Sequence, residues 1–346
     1  MTPITDRRPR RRLAALRDGL LGLALVAPLA ALAQGPQSAA EWIEWANEAR
    51  ASHSFIGEFV YQHGGDIQSM KIWRAASPQT GIRERLISLS GDPREILRGD
   101  DSVTCILGNS ESVVVDRRQL RRPLSARIPE DVERLRPHYE LRLIGDDRVA
   151  GRPAVQVMLE PQDALRYGYS VWLDRATGLM TRAEVHGPDE GVLEQLMMLD
   201  IELLEHLEPA LLEPTLASEG AGYRRLTNDL AGATATSRDE GLGAWSLETS
   251  PAGFNVRLDR LQKLPGRPHP VRHIMLSDGL ATVSVYIEPD SQAEGLDGAM
   301  QMGAMNAYGR TADGYQAIVV GEVPALTVER VARSLVINTE SSQPGQ

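Results

Sequence analysis

Apolar and polar positions change their rhythm several times along the chain, and each rhythm predicts an element. Trp42, Trp45, Ala46 and Ala49 recur at three- and four-residue spacing, the apolar face of a helix. Ser38 and Glu41 form a capping-box pair at its start. After Ser54 the pattern turns to strands. Runs 55–62 and 67–74 flank His63-Gly64-Gly65-Asp66, whose glycines permit the positive φ angles of a tight hairpin. Further β-prone runs follow at 82–89, 95–98, 103–107 and 113–116, then a short helix at 129–135. Strands resume at 139–144, 154–159, 169–173, 179–185 and 193–203. The apolar residues of 193–203 fit both periods, and we read it as a strand. Many short strands at regular spacing predict an antiparallel meander, curved or closed.

Residues 216–241 are rich in Ala, Gly, Thr and Ser and poor in large apolar side chains, which reads as a linker. A second β-rich unit follows. Runs 245–248 and 254–258 flank Pro251-Ala252-Gly253, runs 271–276 and 280–288 flank Ser277-Asp278-Gly279, and runs 300–308 and 315–322 flank a turn at 311–314. A helix after Pro324, with Val328, Val331 and Leu335 on one face, closes the unit. The predicted fold class is mainly β (α+β), with domains at 34–215 and 242–340 and a tail at 341–346. Two separately folded units on such a linker are expected to move relative to each other.

The start of the chain is different in kind. Arg7, Arg8, Arg10, Arg11, Arg12 and Arg17 precede an apolar run at 19–32, and Ala31-Leu32-Ala33 places small residues where signal peptidase reads. A secretory signal over 1–33, cleaved after Ala33, is expected. The run is shorter than the roughly 20 residues of a spanning helix and contains Pro28. No Cys follows it, which argues against a lipoprotein anchor.

Charge narrows the partners. Of 37 basic and 47 acidic residues, the signal takes six Arg and two Asp, leaving 31 against 45, a net of −14. Such a chain is repelled by nucleic-acid phosphates unless a local basic patch overrides the total, so no nucleic-acid partner is expected. The single cysteine, Cys105, lies in the apolar run 103–107 and reads as a small buried hydrophobe. The seven histidines form no H-E-x-x-H. His269 and His273 are four apart, but Pro268 and Pro270 prevent the helix that would align them. No G-x-S-x-G, P-loop or complete G-x-G-x-x-G is present. The sequence therefore offers no catalytic residue, no metal site and no cofactor motif, and binding is the expected activity.

Three ordered stretches are more specific. The first is Phe55-Ile56-Gly57-Glu58-Phe59-Val60-Tyr61, then Glu84-Arg85-Leu86 and Gly91-Asp92-Pro93-Arg94-Glu95-Ile96. The second is Arg148-Val149-Ala150-Gly151-Arg152, then Arg166-Tyr167-Gly168-Tyr169, Trp172-Leu173-Asp174 and Thr177-Gly178-Leu179. The third is Ser277-Asp278-Gly279-Leu280-Ala281 and Ser284-Val285-Tyr286, then Gly303-Ala304-Met305-Asn306-Ala307-Tyr308 and Val320-Gly321-Glu322-Val323-Pro324. In this order the sequence resembles the MucB/RseB family of periplasmic regulators of the envelope-stress sigma factor, over nearly all of the chain after residue 33.

The resemblance implies a half-open antiparallel β-barrel similar to LolA and LolB, followed by a smaller sheet with a helix. It implies a periplasmic protein that binds the periplasmic domain of a membrane-anchored anti-sigma factor of the RseA/MucA type. It would shield that partner from proteolysis and be released by lipid or lipopolysaccharide. A curved sheet leaves an apolar concave side suited to acyl chains; candidates to line it are Phe59, Tyr61, Met70, Ile72, Leu86, Val155 and Val157. Candidates for partner contact are Ser277, Asp278, Gly279, Gly321, Glu322 and Pro324, expected in exposed turns and at the corner before the last helix. Residues 242–340 are expected to bind the partner alone but weakly, with lipid sensing in 34–210. A homo-oligomer is left open. The rival functions are a lipid or lipoprotein carrier and an envelope hydrolase without a short motif.

Overall fold

The computed structural model describes residues 35–77, 81–99, 102–110, 112–116, 128–129, 131–189, 191–216, 223–228, 242, 245–262, 269–290 and 295–337. Residues 1–33, expected to be a secretory signal, lie outside them. Helix α1 (Ala39–Ser52) starts where the sequence predicts, with the Ser38 hydroxyl accepting from Glu41 N at 3.2 Å. The Glu41 carboxylate reaches back to Gln37 N, one residue before the cap. Ala39, Trp42, Ile43, Ala46 and Ala49 form its buried stripe.

Two runs of antiparallel strands build the large sheet. The first is β1 (Ser54–His63), β2 (Asp66–Ser77), β3 (Gly81–Ser88), β4 (Arg94–Arg98), β5 (Val103–Leu107) and β6 (Ser112–Asp116). After the short helix α2 (Val132–Leu135) comes the second: β7 (Tyr139–Val149), β8 (Arg152–Pro161), β9 (Gly168–Asp174), β10 (Met180–His186) and β11 (Val192–Leu204). Gly64 and Gly65 both take positive φ at the β1–β2 turn, as expected.

The sheet is not one meander. Strand β11 lies antiparallel against β1, with Ser54 opposite Leu204, and so joins the two runs. A strand β12 (Arg224–Asn228) falls inside the segment read as a linker and pairs parallel with β6. Its residues show no alternation, because an edge strand can be held by main-chain bonds alone. The order is β12-β6-β5-β4-β3-β2-β1-β11-β10-β9-β8-β7, open at both ends.

Curvature follows from the position of α1, which touches β2 and also β7 and β8. β2 and β8 are five strand spacings apart. In a flat sheet that is about 24 Å at ~4.8 Å per strand, against a helix about 10–12 Å wide. The sheet therefore wraps around α1, and its concave side is the main core.

The C-terminal sheet is smaller. It contains β14 (Asn255–Gln262), β15 (Val271–Ser277), β16 (Thr282–Pro289), β17 (Gly298–Met302), β18 (Met305–Ala312) and β19 (Tyr315–Gly321), in the order β14-β15-β16-β19-β18-β17. Helix α3 (Ala325–Arg333) packs on β18 and β19 and brings Val328 and Val331 into one buried cluster with Val283, Val285 and Val319. Three expectations are corrected here. Strand β13 (Trp245–Leu247) does not form a hairpin with β14 but pairs with β20 (Leu335–Ile337). Leu335 belongs to β20 because Ser334 caps α3, although its side chain still enters the same core. The apolar run at 300–308 is two strands, broken by a turn in which Gly303 has φ +60°.

Strand alternation also places His273 on the face away from Ile274 and Leu276, fully buried and stacked on Tyr286 with ring centroids 4.5 Å apart. Burial, reinforced by the Arg260 charge, pushes its pKa down to about 4. The unfolded chain titrates near 6.5, so below that pH it binds a proton that the folded chain refuses. The stability contributed by neutral His273 is complete above pH 6.5 and is lost as pH falls through 4. The loss is at most about 3 kcal/mol. Urea unfolding between pH 7 and 4 should show a flatter decline for His273→Gln than for the parent. Equal slopes would remove His273 as the cause.

Candidate functional site

The concave face brings all seven lipid-cavity candidates together. Phe59, Met70, Ile72, Leu86, Val155 and Val157 belong to one buried apolar cluster, with half-buried Tyr61 packed against it. Register explains why: Phe59 lies opposite Met70 and also Met198, and Ile72 lies opposite Leu86. Trp42, Ile43 and Ala46 of α1 fill the same cluster, so the helix occupies the space a ligand would need.

The partner candidates are placed differently. Ser277 closes its turn internally, its hydroxyl donating to Ala281 O at 2.8 Å and accepting from Gly279 N at 3.0 Å. Gly321 is a buried strand residue opposite Val283 and Asn306, Pro324 is buried at the head of α3, and Glu322 is half-buried. Gly279 is the exposed one of the six. Asp278, expected in an exposed turn, is 4% exposed and points into the large sheet's half of the molecule. This expectation is corrected, and the reason is charge.

Asp278 Oδ2 accepts from Arg166 Nη1 at 3.1 Å and from the Tyr139 hydroxyl at 3.3 Å. Its Oδ1 accepts from Leu280 N and Ala281 N, at 2.9 and 2.7 Å. The guanidinium of Arg166 also donates to Ala252 O and lies between the rings of Tyr139 and Phe254. Both charged side chains are wholly buried. Burial, and then the neighbouring Asp278 carboxylate, hold the Tyr139 hydroxyl well above its ordinary pKa, so it remains a donor.

Two more bonds cross between the halves. Thr327 Oγ1 donates to Leu165 O at 2.6 Å, and Asn306 Nδ2 donates to the Tyr167 hydroxyl at 2.9 Å and to Val323 O at 2.8 Å. Ala304 and Leu280 from the C-terminal half join the concave cluster itself. These buried polar bonds tie the two halves together in addition to the segment 216–241 that connects them. Arg166, Tyr167 and Asn306 lie within the ordered motifs, but nothing in the motifs assigns them a role. Their signal was a polar residue recurring inside apolar stretches. Tyr139 and Thr327 gave no signal.

Among the described residues no group of three or more His, Cys, Asp or Glu side chains could hold a metal ion. Among them also, no helix is long and apolar enough to cross a membrane. Cys105 is half-buried, and burial raises its thiol pKa, away from a reactive thiolate. The site is therefore an apolar concave face joined to a second sheet by a buried ion pair, an arrangement suited to binding.

Comparison with known proteins agrees with this geometry. The model of the MucB/RseB N-terminal domain matches residues 38–216, and that of the MucB/RseB C-terminal domain matches 239–336. The chain is 32% identical over 324 residues to the sigma factor AlgU regulatory protein MucB of Pseudomonas aeruginosa, covering 92% of this chain and 98% of that one. It is 22% identical over 290 residues to the sigma-E factor regulatory protein RseB of Escherichia coli, covering 84% and 87%. A crystal structure of MucB in complex with MucA(peri) superposes with a TM-score of 0.67 at 30% identity, covering 87% of this chain and 99% of that one. Matched by both domain models and by a relative along almost its whole length, the chain belongs to the MucB/RseB family.

Proposed function

We propose that this protein is a periplasmic regulator that binds the periplasmic domain of a membrane-anchored anti-sigma factor of the MucA/RseA type and restrains its proteolysis. The observation that carries this reading is the end-to-end likeness, in sequence and fold, to a MucB that has been solved with MucA(peri). The test is calorimetry of the mature chain against the purified periplasmic domain of the organism's own MucA-type protein, followed by protease challenge of that domain. Binding with slowed cleavage is expected. A folded mature chain that gives no heat and no protection sinks the reading.

Lipid would act on the concave face. The seven cavity candidates share one cluster with α1, so an acyl chain entering there would take the place of part of that helix. Replacing Ile72 or Val157 by phenylalanine adds volume inside the buried cluster, a cost of about 1–3 kcal/mol that the fold should survive. Lipid-driven release of the anti-sigma domain should weaken in these variants, measured by competition with the bound complex. A lipid response equal to the parent's in well-folded variants would separate the cluster from lipid sensing. Export with cleavage after Ala33 belongs to the same reading, and the mass of the mature protein tests it.

A further inference from the structure

The polar junction and the concave cluster share a residue. Tyr139 is 1% exposed within the apolar cluster, its ring 6.4 Å from that of Tyr169, while its hydroxyl bonds Asp278 of the other sheet. The path to it from α1 is continuous. Asn47 of α1 donates to Pro129 O at 2.7 Å, three residues before α2. Helix α1 packs on α2 and on β7, which begins at Tyr139. At the end of α2, Leu135 is fully buried in the cluster and lies against Gly279, next to Asp278.

The far end of the path is equally constrained. The carboxylate that receives the Tyr139 hydroxyl also holds Leu280 N and Ala281 N. Displacing Tyr139 would leave a buried carboxylate one donor short, and the turn that it organises would have to move to restore the balance. That turn joins β15 to β16, and Gly321 pairs with Val283 one residue further on.

We propose that Tyr139, through its hydroxyl on Asp278, relays occupation of the concave face to the C-terminal sheet. A lipid that displaces α1 would thereby loosen a partner held by that sheet. The relay rests on the function proposed above, including lipid-driven release. Tyr139 is a positioning residue in this scheme: it transmits a displacement, and the lipid contacts are made elsewhere in the cluster.

The experiment uses the full mature chain, the anti-sigma periplasmic domain and palmitoyl lysophosphatidylethanolamine below its micelle concentration. The quantity read is the ratio of partner Kd with and without lipid; lipid binding itself is followed separately by tryptophan fluorescence. In the parent, lipid should weaken the partner by about tenfold, within the usual range of allosteric coupling. In Tyr139→Phe, which keeps the ring and removes the hydroxyl, the ratio should fall below about threefold while lipid still binds. Asp278→Asn, which keeps the shape, serves as the second variant and should act in the same direction.

A parent that responds and a Tyr139→Phe that responds equally would overturn the relay alone. A Tyr139→Phe that no longer binds lipid would also overturn it, since the hydroxyl would then be acting at the lipid site. A parent whose partner affinity ignores lipid would overturn the relay together with the reading it rests on.

Discussion

Alanine at Asp278 is expected to lower the unfolding free energy by about 3–5 kcal/mol, the usual cost of removing one partner from a buried ion pair. Arg166 would lose its fully buried counter-ion and keep only Asp163, whose carboxylate is partly exposed. The Tyr139 hydroxyl and the Leu280 and Ala281 amides would lose their acceptor in the same step. Urea unfolding followed by far-UV dichroism measures the loss. A decrease below about 1 kcal/mol would mean that the pair contributes little. The double variant Arg166→Met, Asp278→Ala should recover part of the loss, because no charge is then stranded. Cutting the chain between the sheets would strand the same groups. A 242–340 fragment would expose Asp278, Leu280 and Ala304, which the intact protein buries or packs into the other half. Weak binding by that fragment would therefore reflect a disturbed fold as much as a missing contact.

Glu95→Ala should be comparably costly, at about 3–5 kcal/mol. The Glu95 side chain is fully buried on β4 and accepts from Arg85 Nε, Thr215 N and Leu216 N. Arg85 in turn donates to Leu211 O and to the Thr215 hydroxyl, with its guanidinium 4.8 Å from the Trp73 ring centroid. These contacts fasten the chain after β11 across the sheet, ahead of β12. Besides the lower urea midpoint, limited proteolysis of Glu95→Ala should cut between 205 and 228 sooner than in the parent. Unchanged cleavage there would mean that the buried pair is not what holds this segment.

Periodicity made the elements legible where side chains decide them. Strand β11 was correctly read despite its mixed rhythm, and the Ser38 cap lies where the pattern put it. Asp174 accepts from Ala176 N, Thr177 N and Thr177 Oγ1 and so closes the turn after β9. What stayed hidden depends on the third dimension. Strand β12 is held by main-chain pairing that leaves no mark on the side-chain pattern. Trp245 forecasts burial, but nothing in its neighbourhood names β20 as its partner over β14. Asp278 has the composition of an exposed turn, and only its meeting with Arg166, 112 residues away, turns it inward. The residues of the concave cluster are legible because they alternate along their strands; the ion pair is not, because charge complementarity between distant loops has no period.

The closing of β1 by β11 has a consequence for how the chain is made. A polypeptide threaded out N-terminus first forms the β1–β2 hairpin at once, since two residues connect the strands. The opposite edge of β1 must then wait for Val192–Leu204, and the edge of β6 waits until Arg224–Asn228. Throughout the emergence of residues 64–191, each nascent chain carries an unpaired, apolar-faced strand edge that invites another copy. Such high contact order slows folding and lengthens the period of risk. Chaperone demand during biogenesis should therefore be set by the late arrival of β11, and a circular permutant that brings β11 next to β1 in sequence should refold faster and aggregate less.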